Sequence, residues 1–189
     1  MVSEPTNPQG VESSVRDILL HIGEDPQREG LKDTPARVRR SFDKLYGGYK
    51  LCAEDILKTT FADGRCDEMV MLRNIEFYSM CEHHMLPFYG RVHIAYIPGK
   101  YVVGISKLAR LVEVYSRRLQ IQERMTTQIA DDIMTILKAR GAMVVVKAQH
   151  HCMTSRGVEK QNSEMVTSAI RGEFLKERAR NEFFGLLGI

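Results

Sequence analysis

The sequence predicts an α+β fold built around one core. The organisation along the chain carries that expectation, running helices, strands, helices, strand, helix. The 189 residues, 43% of them apolar and 27% charged, suffice for one globular domain with a real core and a helical appendage.

Residues 1–10 read as a flexible leader. From Val11 to Ile22, Val15, Ile18, Leu19 and Ile22 recur at helical spacing and predict an amphipathic helix. Thr34-Pro35 opens a second helix, with Thr as N-cap and Pro at the first helical position. It carries Val38, Phe42 and Leu45 and stops at Gly47-Gly48. Residues 49–68 are mixed and give no clear element. Met69 to Met80 and Arg91 to Ile97 read as strands, with Pro98-Gly99 as a turn. Ser106 is expected to cap a helix that buries Leu108, Val112 and Tyr115. A longer helix is expected from about Gln120 to Lys138, with Ile121, Met125, Ile129, Ile133 and Ile136 inward. Ala142 to His150 is rich in β-branched residues and follows Arg140-Gly141, so it reads as a strand. There is no internal repeat and no low-complexity segment.

Composition excludes little beyond disorder. The net charge of +3 does not point to nucleic acid. No apolar run approaches membrane length and the N-terminus lacks an apolar signal core, so a soluble cytoplasmic protein is expected. Four cysteines in such a chain read as thiols and metal ligands, not disulfides. Cys52 and Cys66 lack partner motifs and read as free thiols.

Two islands concentrate the chemistry. One is Cys81-Glu82-His83-His84, with the Cys-x-x-His spacing of a zinc half-site. The other is Gln149-His150-His151-Cys152. Thiolate plus imidazole favours zinc over magnesium or calcium. Three ligands would leave a coordination position open for an activated water, and four would close a structural site. On a continuing strand, Val144, Val146, Ala148, His150 and Cys152 share a face, with His150 and Cys152 roughly 6–7 Å apart along it. That separation suits one ligand plus a neighbour, or two ligands on a twisted strand. His83 and His151 are imidazoles a structural rivet does not need, and they suit proton transfer. Gly104-Ile105-Ser106-Lys107, with Arg110 one turn on, has the composition of an anion site at a helix start, although these residues alone favour a solvated basic face. Arg37, Arg39, Arg40 and Arg156 share that ambiguity. Gln122 and Glu123 alone read as helix surface.

These segments together resemble the GTP cyclohydrolase I family. The likeness runs from about Thr34 to about Phe184. It is carried by Ser79-Met80-Cys81-Glu82-His83-His84, Ala95-Tyr96-Ile97-Pro98, Gly104-Ile105-Ser106-Lys107-Leu108-Ala109-Arg110, Gln120-Ile121-Gln122-Glu123-Arg124 and His150-His151-Cys152-Met153-Thr154-Ser155-Arg156-Gly157. His151, Ser155 and the stretch from Glu159 to Glu164 depart from the usual pattern.

The resemblance implies a tunnelling fold, an antiparallel sheet with helices packed on one face, plus an N-terminal helical segment. It divides the chain into a leader and helical segment over residues 1–50 and a catalytic domain over 51–189. It also implies a ring-built homodecamer with sites at subunit boundaries. The implied activity is hydrolytic opening of the guanine imidazole ring of GTP, with formate release and rearrangement to 7,8-dihydroneopterin triphosphate. Zinc is implied on Cys81, His84 and Cys152. His150 is implied as the acid that protonates the purine, and His83 as a second acid-base or ribose-contacting group. Glu123 is implied to read the guanine edge, with Gln122 beside it. Ser106, Lys107, Arg110, Arg156, Arg37 and Arg40 are implied to hold the triphosphate. Two other readings stand beside this one: an interaction module with structural zinc and no turnover, and a tunnelling-fold relative acting on another purine or pterin.

Overall fold

The computed structural model describes residues 8–61 and 66–188. Its elements are helices α1 (Pro8–His21), α2 (Thr34–Leu45) and α3 (Ala53–Leu57), then strands β1 (Thr60–Phe61), β2 (Val70–Cys81), β3 (Pro87–Ile97) and β4 (Val102–Val103). There follow α4 (Ile105–Ser116), β5 (Leu119–Gln120), α5 (Gln122–Ile136), β6 (Gly141–His150), α6 (His151–Thr154), β7 (Met165–Gly172) and α7 (Glu177–Leu187). The leader expected over residues 1–10 lies outside the described residues up to residue 7, and the first helix already begins at Pro8.

The main sheet has the order β5-β2-β3-β6-β7. Neighbours are antiparallel except for β5, which runs parallel to the end of β2 and pairs Met80 with Leu119 and Cys81 with Gln120. Strand β7 was not anticipated. Of its eight residues only Ala169 is buried, so its apolar signal is weak.

α4 and α5 cover one face of this sheet, as the predicted architecture requires. Met125, Ile129 and Ile133 lie at four-residue spacing along α5. They pack with Leu108, Leu111 and Val112 of α4 against Phe77, Phe88, Ile94, Val144 and Val146. A smaller cluster on the opposite face joins Ala95, Ile97, Met143 and Val145 to Phe174 and Phe183, so α7 adds a partial layer at one end. Ahead of residue 51, the chain is tied down by Arg118. Its guanidinium donates to the carbonyls of Gly48 and Leu51 at 2.8 and 3.3 Å.

Strand β2 changes phase midway. Val70 and Leu72 pack on the main core, but beyond the register shift between Leu72 and Ile75 it is Ile75 and Phe77 that do so. Asn74 makes the shift at φ 61°, a left-handed conformation that Asn tolerates better than most residues. The extra residue lets Met69 and Met71 serve the second cluster while the later half of the strand faces α4 and α5.

The Asn74 N–H donates to Nδ1 of His93, a ring only 5% exposed. Burial, and then Lys147, Arg91 and Arg73, push the His93 pKa below the ordinary value. A depressed histidine contributes stability above the unfolded pKa, and that contribution is lost as pH falls through the folded value. As pH falls below the ordinary histidine value, the Tm is expected to fall, part of that fall coming from His93. His93→Gln should flatten that part of the fall in a calorimetric pH series. An unchanged slope would remove His93 from the explanation.

Candidate metal centre and active site

The first island is a tight turn at the end of β2. The Cys81 N–H donates to the Leu86 carbonyl at 2.8 Å, and the Met85 N–H donates to the Cys81 carbonyl at 2.8 Å. Met85 closes the turn at φ 53°. His83 and His84 are therefore exposed at the turn while Cys81 stays buried. Strand β5 joins this turn to α5. The Glu82 N–H donates to the Gln120 carbonyl at 3.1 Å, and the Arg124 Nε donates to Gln120 Oε1 at 2.7 Å. Arg124 also pairs with the Glu82 carboxylate, holding its pKa below the usual range.

The second island departs from the expected strand. Strand β6 ends at His150, and residues 151–154 form one helical turn, closed by the Ser155 N–H on the His151 carbonyl at 2.9 Å. Cys152 is therefore not a continuation of the strand face that carries His150. The turn brings it to the first island instead: ligand atoms of Cys81, His84 and Cys152 all lie within 4.8 Å of one another. Cys81 Sγ is 3.6 Å from His84 Nδ1 and 3.9 Å from His83 Nδ1. Burial and the adjacent Cys81 push the Cys152 thiol pKa up. A divalent cation would reverse that cost by stabilising both thiolates. Two thiols and an imidazole at this separation fit a soft or borderline metal, and all four cysteines are free of disulfides.

His150 is not part of this group. Its ring stacks on Phe88, with centroids 4.6 Å apart and planes 4° apart, and its Nε2 lies 2.8 Å from Gln122 Oε1. Burial lowers its pKa, and the negative charge of Glu123 opposes that shift. Glu123 is exposed on the first turn of α5, near enough to act on His150. Gln122, one residue earlier, is 1% exposed and turned into the sheet.

The basic residues are less gathered. Arg156 Nη1 donates to His84 Nε2 at 2.7 Å, which places it at the metal group. Helix α4 begins at Ile105 with Gly104 as N-cap, so Ser106 lies inside the first turn and is not the cap. Ser106 and Arg110 are exposed and Lys107 half-buried. Helix α2 is capped by Asp33, not Thr34, and Arg37 pairs with Asp33 at 3.4 Å while Arg40 is exposed. Among the described residues, no hydrogen bond or ion pair joins Arg37, Arg40, Ser106, Lys107 or Arg110 to the metal group. Sequence reasoning missed the Glu82–Arg124 clamp, although the two residues sit in the two most informative segments.

The sequence model of GTP cyclohydrolase I matches residues 11–188. The chain belongs to the GTP cyclohydrolase I family. It is 64% identical over 176 residues to GTP cyclohydrolase 1 of Wolinella succinogenes, covering 93% of this chain and 94% of that one. It is 55% identical over 177 residues to GTP cyclohydrolase 1 of Campylobacter lari, with 93% of each chain covered. GTP cyclohydrolase 1 of Streptomyces coelicolor is 51% identical over 179 residues, covering 93% of this chain and 88% of that one.

Of the three residues of the candidate metal group, Cys81 is buried, Cys152 half-buried and His84 exposed. A cavity of about 570 Å³ on the sheet face away from α4 and α5 is lined by Arg73, Glu76, Tyr78, Arg91 and Lys147, none of them a candidate residue. A second, of about 380 Å³, abuts the Glu82–Arg124 clamp. Among the described residues, no helix is long and apolar enough to cross a membrane.

Proposed function

We propose that this chain is a zinc-dependent GTP cyclohydrolase I. It opens the imidazole ring of GTP, releases formate and yields 7,8-dihydroneopterin triphosphate. The observation that carries the reading is the convergence of Cys81, His84 and Cys152 in a chain of this family. Zinc held there would supply Lewis acidity, which makes water a nucleophile near neutral pH.

The protein's own groups do the rest. His150 protonates N7 as water adds at C8, so negative charge does not build on the purine. His83, at the edge of the metal group, is a second proton-transfer or ribose-contacting residue. Glu123 accepts from N1–H and the exocyclic amine of guanine. Adenine lacks that donor pair, and an unpaired carboxylate would penalise it. Arg156, Ser106, Lys107, Arg110, Arg37 and Arg40 hold the triphosphate, where guanidinium groups can bind in bidentate fashion.

Arg156 alone of the phosphate set bonds to the Cys81–His84–Cys152 group among the described residues, and a homo-oligomer, a ring-built decamer with sites completed at subunit boundaries, would supply the others. Exposed apolar residues Ile18 and Leu20 on α1, and Ile22 just after it, are consistent with burial by neighbouring subunits. Purified protein incubated with GTP is expected to release formate and, after oxidation and dephosphorylation, fluorescent neopterin. Zinc retention with neither product would favour the structural-zinc module.

A further inference from the structure

The side chain of Gln122 makes more contacts than a residue reading a substrate could spare. Its Nε2 lies 3.0 Å from the Val146 carbonyl, 3.0 Å from the Met165 carbonyl and 3.1 Å from Thr167 Oγ1. Carbonyl oxygens only accept, so the amide NH2 must face them. This fixes the amide orientation and leaves Oε1 towards His150 Nε2, at 2.8 Å.

The neighbouring hydroxyls agree with that orientation. Thr126 Oγ1 donates its one proton to the Gln122 main-chain carbonyl at 2.7 Å. It must then accept from Thr167 Oγ1, also 2.7 Å away. The Thr167 oxygen is thereby left to accept from Gln122 Nε2. Each donor has an acceptor, in a site where Gln122 and Thr126 are both 1% exposed.

We propose that Gln122 is a positioning residue, whose side-chain carbonyl holds His150 with its hydrogen on Nε2 and leaves Nδ1 as the ring nitrogen that serves the substrate. Among the described residues, His150 Nδ1 has no hydrogen-bond partner. The Phe88 stack sets the plane of the ring, and the Gln122 carbonyl sets its rotation within that plane. With Nε2–H committed to Gln122, Nδ1 is the nitrogen that takes up the proton released as water adds at C8 and passes it to purine N7. This assignment rests on the GTP cyclohydrolase reading for its substrate, but not for its hydrogen placement. It removes the Gln122 side chain from direct contact with guanine and leaves that task to Glu123.

Two measurements test it separately. Neutron diffraction from wild-type crystals at about pH 8, where histidine is ordinarily neutral, is expected to place a deuteron on His150 Nε2 and none on Nδ1. In Gln122→Met, which keeps the length and apolar packing, kcat for GTP is expected to fall about 10- to 100-fold, with KM within about twofold of wild type. A deuteron on Nδ1 in place of Nε2 would overturn the proposal. So would a Gln122→Met variant that raises KM and leaves kcat unchanged, because that is the signature of a substrate contact. If Gln122→Met does not fold, the wild-type neutron map decides alone. If the wild type folds but does not turn over GTP, the functional reading fails, and the map still reports on the tautomer.

Discussion

Cys152→Ser is expected to yield a folded protein that neither retains zinc nor turns over GTP. The same result is expected for Cys81→Ser and His84→Ala. The three ligand atoms lie within 4.8 Å of one another, and a three-ligand site has no spare donor. Serine is a poor replacement for a thiolate towards zinc, because its hydroxyl stays protonated at neutral pH. The Lewis acidity lost corresponds to several kcal/mol, so kcat/KM should drop by about 10³-fold or more. Elemental analysis per chain and a thermal melt give the two readings needed. Full zinc occupancy in all three variants would sink the ligand assignment. Metal loss together with unfolding would mean that the ion is structural.

His150→Ala should behave differently. It is expected to keep its zinc and lose activity by about 10²-fold or more, the range for a general acid. The basis is geometric. His150 sits at the end of β6 with its Nε2 engaged by Gln122, whereas the following helical turn carries Cys152 to the metal group. Zinc content and kcat measured on the same preparation separate the outcomes. Loss of the metal in His150→Ala would make the site four-coordinate and restore the structural-zinc alternative.

Much of this arrangement was legible in the residues, and what was not has physical reasons. The Cys81-x-x-His84 spacing announces a turn that aims two side chains at one point, and the structure has that turn. The alternation of Val144, Val146 and Ala148 correctly marks the face of β6 that joins the main core, and the four-residue spacing of Met125, Ile129 and Ile133 marks the buried side of α5. The alternation failed at Cys152 because a strand can end between two residues that would otherwise share a face. Nothing local at His150-His151 signals that the chain coils into a helical turn there. Strand β7 was missed because an edge strand buries one side only in part. Gln122 looked like helix surface because the partners that satisfy it, Val146, Met165 and Thr167, are more than twenty residues away in sequence. The phosphate-binding set was assigned through family likeness alone, since exposed cations at a helix start look the same whether they meet a ligand or water.

The stack of His150 on Phe88 links the chemistry to the melting behaviour of the whole molecule. Phe88 is fully buried and packs edge-on to Phe77, with ring centroids 5.8 Å apart, in the main core. An imidazole held this way gives up its rotational freedom when the chain folds, so none of that entropy remains to be lost during turnover. It also cannot loosen by a local excursion that leaves the core intact. Heat should therefore disable this ring only by melting the sheet beneath it. His83 and His84 lie exposed on their turn and, among the described residues, stack on no core ring, so without a bound ion it is there that gradual loss of precision would begin as the temperature rises.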